Sequence, residues 1–178
     1  MALQPVHADF TISWLAHDSW SETYVGVRRL AFEVLPDTSS RQNAEDGPLC
    51  QLALVGSNHL MEIALYKALH QHIPGPKLEN ASYYEMLELL KARSASLNLA
   101  DEPFLSTERL RKRRNATVHK HSALATVEMA RSALYSAVEG SRAVFAFAGA
   151  SFPYGPHLVK FPPIPAPQFS AVPFPGGA

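Results

Sequence analysis

The chain has 178 residues, 47% of them hydrophobic and 18% charged, a balance that fits one globular domain with a buried core and excludes a wholly disordered chain. Its 16 Lys plus Arg equal its 16 Asp plus Glu, so no global field draws it onto nucleic acid and any such attraction must be local. The single cysteine, Cys50, rules out an intramolecular disulfide and fits a reduced cytoplasm.

Met1 to Trp20 lacks a basic start followed by an apolar run, and no membrane-spanning stretch follows, so neither secretion nor insertion is expected. The chain divides into an N-terminal extension over 1–17, a helical body over 18–150 and a proline-rich tail over 151–178.

Within the body, Tyr24, Val27, Leu30, Ala31 and Val34 recur with helical period. They predict a first helix from Asp18 or Ser19 to Leu35, stopped by Pro36. Asp37 to Pro48 is polar and reads as a loop. A second helix is expected from about Leu49 to Ile73, closed by Pro74-Gly75-Pro76. Its apolar residues cover more than one face, as in a central helix with several neighbours. Ser82-Tyr83-Tyr84-Glu85 has the form of a capping box and opens a third helix that fades near Leu97. Ser106 or Thr107 can cap a fourth through the basic run, and Ser122 a fifth to about Phe147. No alternating strand stands out, so the expected class is all-α, an antiparallel bundle of about five helices.

From Ser151 onward lie eight of the 14 prolines, which argues against helix there. Pro162-Pro163-Ile164-Pro165 satisfies a PxxP spacing that could dock on an aromatic groove. The simpler reading is a polyproline-like tail lying on its own domain or on a partner subunit.

The main electrostatic feature is a local cluster. Arg109, Arg111, Lys112, Arg113, Arg114 and Lys120 fall within twelve positions, beside a single acid, Glu108. Inside it runs Arg114-Asn115-Ala116-Thr117-Val118-His119. An arginine followed by a histidine at this distance is common by chance; the direct Arg-Asn pair, the apolar residue before His119 and the position between two helices give it weight.

This run resembles the signature of the HEPN superfamily, helical-bundle proteins of which many are metal-independent ribonucleases of toxin and antiviral systems. The resemblance covers roughly Leu49 to Phe147. It implies Arg114 as the phosphate-binding cation, Asn115 as the polar residue shaping the site and His119 as the acid or base. It also implies a supporting polar residue from an earlier helix. Asn58 and Glu62, one turn apart among apolar neighbours, are the candidates, with Glu62 preferred.

RNA carries its own nucleophile, so this chemistry needs neither a metal nor another cofactor. The 2′-hydroxyl can attack the adjacent phosphate if a base accepts its proton and a cation stabilises the developing charge. Histidine titrates near neutrality and arginine stays charged, with a planar fork for phosphate oxygens. The expected products are a 2′,3′-cyclic phosphate and a 5′-hydroxyl. The family commonly dimerises so that two such sites line a shared cleft, which implies a homodimer. Arg109, Arg111, Lys112, Arg113, Lys120 and His121 would then hold the RNA backbone. Some HEPN toxins carry a tyrosine two residues after the histidine; here His121 stands there, so control by nucleotide transfer to that hydroxyl is not implied, and an antitoxin or regulatory protein stays unspecified.

Plainer readings stand beside these. The basic run could be a solvated helix end complementing the macrodipole, and Asn58 and Glu62 could simply be exposed. His70-Gln71-His72 lacks the companion ligands of a metal site. Cys50 reads as a small core residue, and Trp14, Trp20, Tyr83 and Tyr84 as core or interface aromatics. A noncatalytic HEPN module that binds a nucleotide, RNA or protein is the alternative to a nuclease.

Overall fold

The computed structural model describes residues 19–36, 46–99, 102, 105 and 125–167. Among them all regular structure is helical: α1 (Ser19–Arg29), α2 (Asp46–His70), α3 (Gly75–Glu79), α4 (Tyr83–Arg93), α5 (Val127–Phe147) and α6 (Gly155–Leu158). The all-α class is thus observed, and no described helix is long and apolar enough to cross a membrane.

Helix α1 ends in a π-helical turn, Leu30–Val34, where Leu35 N–H reaches back to Leu30 C=O at 3.0 Å. Pro36 then stops it, as its sequence predicts. The carbonyls freed by this wider turn are met from α5. Arg131 Nε donates to Ala31 C=O at 2.9 Å and its Nη2 to Pro36 C=O at 3.3 Å. The same guanidinium and that of Arg28 lie 5.0 and 5.2 Å from the Phe32 ring centroid, a cation–π arrangement at a helix C-terminus, where positive charge is favoured.

Helix α2 begins three residues before the expected Leu49, because Pro48 falls in its first turn, where no intrahelical N–H is required. Its last helical residue is His70 rather than Ile73. Buried residues occur around most of its circumference, Cys50, Leu54, Leu60, Met61, Ile63, Leu65 and Leu69 among them. Accordingly α2 packs against α1, α3, α4 and α5, with α5 its most extensive partner.

Ser82 caps α4 as its sequence predicts. Glu85 N–H donates to Ser82 Oγ at 3.3 Å and Ser82 N–H to Glu85 Oε2 at 2.6 Å. The helix stops at Arg93, short of Leu97, because Ser94 is extended; Leu97 still reaches the core. The short α3 was not foreseen in Pro74-Gly75-Pro76. Helix α5 starts at Val127, not near Ser122, with Thr126 as its cap: Met129 N–H donates to Thr126 Oγ1 at 3.1 Å.

After α5, Gly149 adopts φ 73°. Ala150 N–H returns to Phe145 C=O at 2.9 Å and Gly149 N–H to Ala146 C=O at 3.0 Å, the Schellman arrangement that a glycine makes easy. The chain then folds back over the helices. Phe152, Tyr154, Phe161 and Ile164 all pack on the core. Trp20, fully buried, stacks on Tyr24 (5.4 Å) and Tyr154 (4.4 Å) and meets Phe152 edge-on (5.5 Å). Its Nε1 donates to Ser141 Oγ at 3.2 Å, and Ser141 Oγ donates to Ala137 C=O at 2.7 Å, so the buried indole N–H and serine hydroxyl are both satisfied. Helix is not excluded from the proline-rich segment: α6 forms because Pro156 stands in its first turn. In the PxxP stretch Ile164 faces the core while Pro162, Pro163 and Pro165 are exposed.

Candidate functional site

Arg114, Asn115 and His119, together with Arg109, Arg111, Lys112, Arg113, Lys120 and His121, lie outside the described residues, as do Ser122 and Trp14. What is described is the frame on either side of them. Leu105, fully buried, anchors the chain before the run, and Ala125, 4% exposed, anchors it afterwards, immediately ahead of the Thr126 cap of α5. Leu105 and Ala125, the described residues that flank the run, thus both belong to the core.

Asn58 and Glu62 are both on α2, half-buried and one turn apart. The Glu62 carboxylate lies 3.4 Å from His59 Nδ1, with both side chains more than a third exposed, so this contact is water-screened and contributes little to stability. Glu62 also acts across the helix pair: burial, and then its negative charge, push the Tyr83 phenol at the start of α4 well above the ordinary tyrosine range. The Tyr83 hydroxyl is buried without a hydrogen-bond partner. His59 and Glu62 are thus paired on α2, and the neutral Tyr83 hydroxyl lies within range of the Glu62 charge without a hydrogen bond to it. No family model, curated protein or solved structure matches the chain.

His59 and Tyr83 were not singled out as site residues by sequence reasoning. The available signal for His59 was its i, i+3 spacing from Glu62; for Tyr83 there was none, because its approach to Glu62 depends on how α4 crosses α2. Tyr84, beside it, is 58% exposed. His70 and His72 are exposed at the end of α2, and among the described residues no group of three His, Cys, Asp or Glu side chains is placed to hold a metal. Cys50 is fully buried, and burial, helped by Asp46, pushes its thiol upward. A thiol held in that state is a core residue rather than a nucleophile.

Proposed function

We propose that the chain is a HEPN-like, metal-independent RNA endonuclease built on an antiparallel bundle of about five helices, the fourth passing through the basic run. The observation that carries this reading is Arg114-Asn115-Ala116-Thr117-Val118-His119, with its basic flank, in the connection leading into α5. Support comes from the all-helical frame and from Asn58 and Glu62 standing half-buried and one turn apart on the central helix.

In this mechanism His119 accepts the 2′-hydroxyl proton while that oxygen forms a bond to the adjacent phosphorus. The P–O5′ bond breaks, and the leaving oxygen takes a proton from the second His119 of a homodimer. Arg114 neutralises the phosphorane charge through paired N–H donors. Asn115 orients the phosphate, with Glu62 or Asn58 behind it. Arg109, Arg111, Lys112, Arg113, Lys120 and His121 hold the flanking backbone. Activity of this kind in the cytoplasm would call for restraint by an antitoxin or regulatory protein.

The test is incubation of the purified full chain with a mixed RNA pool in excess chelator. Cleavage abolished in His119→Ala and Arg114→Ala supports the nuclease. Tight RNA binding without cleavage would replace it with a noncatalytic binding module.

A further inference from the structure

Every residue from Phe161 to Pro167 is a proline or stands directly before one. Proline fixes its own φ and crowds the preceding residue out of the helical region, and no helix or turn occurs from 162 to 167. Such a chain runs as a polyproline II helix of about three residues per turn, and its burial has that period. Phe161, Ile164 and Pro167 are half-buried, whereas Pro162, Pro163, Pro165 and Ala166 are exposed. The first edge is held by the domain. Phe161 and Ile164 pack on the core, and the Phe161 ring meets Tyr24 edge-on at 5.8 Å and the Arg28 guanidinium at 5.3 Å. The other two edges, Pro162 with Pro165 and Pro163 with Ala166, face outward.

The covalent make-up of these edges decides what can cover them. Four of the six residues from Pro162 to Pro167 lack an N–H, so a sheet edge cannot pair with them. No backbone hydrogen bond joins 162–167 to another described residue, so their carbonyls are open acceptors. Tyr and Trp side chains meet both features, with a flat ring for the pyrrolidine ridges and an O–H or N–H for the carbonyls. Just ahead, Val159 is 83% exposed and Lys160 is exposed. They add an apolar contact and, at one end only, a cation that sets direction and calls for a carboxylate opposite it. Because the core already holds the segment extended, docking orders little new chain.

We propose that residues 159–166 form a docking ridge for a partner protein that has a groove lined by Tyr and Trp, with an acidic group at the end that meets Lys160. The inference is independent of the RNA-cleavage reading, since it uses none of the residues between Leu105 and Ala125.

The test is an NMR titration of the full chain with four purified probes: an SH3, a WW and an EVH1 domain, whose grooves are aromatic, and a PDZ domain, which takes a strand. Saturable shifts of the Lys160, Ile164 and Ala166 amides are expected with at least one aromatic-groove probe and not with the PDZ domain. The double variant Pro162→Ala/Pro165→Ala, exposed at both positions, should weaken that binding about tenfold while the Trp20 indole signal stays in place. Lys160→Glu should weaken it about threefold or more. No saturable shift with any of the three aromatic grooves, equal binding of the PDZ domain, or unchanged affinity in either variant would overturn the proposal. Concentration-dependent self-association of the chain that is lost in the double variant would also overturn it, by placing a second copy on the ridge.

Discussion

Gly56 stands in the middle of α2, where glycine costs about 1 kcal/mol relative to alanine. A Cβ built there would overlap Val27 Cγ2 of α1, so the residue is explained by the close approach of the two helices. Val27 is 7% exposed, and as a β-branched side chain in a helix it has little rotamer freedom with which to retreat. Replacing Gly56 by alanine should therefore cost about 1–3 kcal/mol of overpacking, offset by about 1 kcal/mol of helix propensity. The net expectation is a loss of roughly 1 kcal/mol, or about 2–4 °C in Tm for a domain of this size. In a Val27→Ala background the overlap is gone and the sign should reverse, with Gly56→Ala becoming stabilising by up to about 1 kcal/mol. The assay is a double-mutant cycle by urea unfolding, in which the coupling should be favourable and of order 1–3 kcal/mol. A stabilising Gly56→Ala in the Val27 background, or additive single changes, would refute the close approach of α1 and α2.

Other consequences can be measured on the same protein. Ser141→Ala strands the buried indole N–H of Trp20 and should cost about 1–3 kcal/mol by denaturant unfolding, whereas the same change at exposed Ser96 should be near neutral. Ser82→Ala should cost about 1 kcal/mol through loss of the α4 cap. Hydrogen bonds from Ser82 hold the Glu85 carboxyl below its ordinary range, so this contribution is present above the unfolded pKa and fades as pH falls through the lower, folded value; Glu85 side-chain NMR shifts followed down in pH would read it. Burial raises Tyr24, Tyr66 and Tyr83, so their contribution is intact below about pH 10, where unfolded tyrosine ionises, and stability should fall above it. An alkaline limb of the stability curve without such a fall would contradict their burial. In the cleavage assay Glu62→Gln or Asn58→Ala should lower the rate by less than the ~10²–10⁴-fold expected for His119→Ala.

Much of the helical frame was legible because its signals are local. The capping box at Ser82 and Glu85, the stop at Pro36 and the all-round apolar character of α2 each act within a turn or two of sequence. Helix ends shifted where a proline could be absorbed in a first turn, as at Pro48 and Pro156, because composition alone does not distinguish a proline that opens a helix from one that breaks it. The packing of Phe152, Tyr154 and Phe161 onto Trp20 and Tyr24 was not legible. It depends on the reversal at Gly149 and on contacts more than a hundred residues apart. Of the candidate site, Asn58 and Glu62 were visible as polar interruptions of an apolar helix, while the approach of Tyr83 to Glu62 is a tertiary fact with no local signature.

The central claim rests on Arg114 and His119, and the most direct measurement of it is the end chemistry of RNA cut by the full chain in the presence of chelator. The account predicts 2′,3′-cyclic phosphate and 5′-hydroxyl ends, lost in His119→Ala and in Arg114→Ala while circular dichroism stays helical. Cleavage that persists in both variants, or ends bearing a 5′-phosphate, would contradict it.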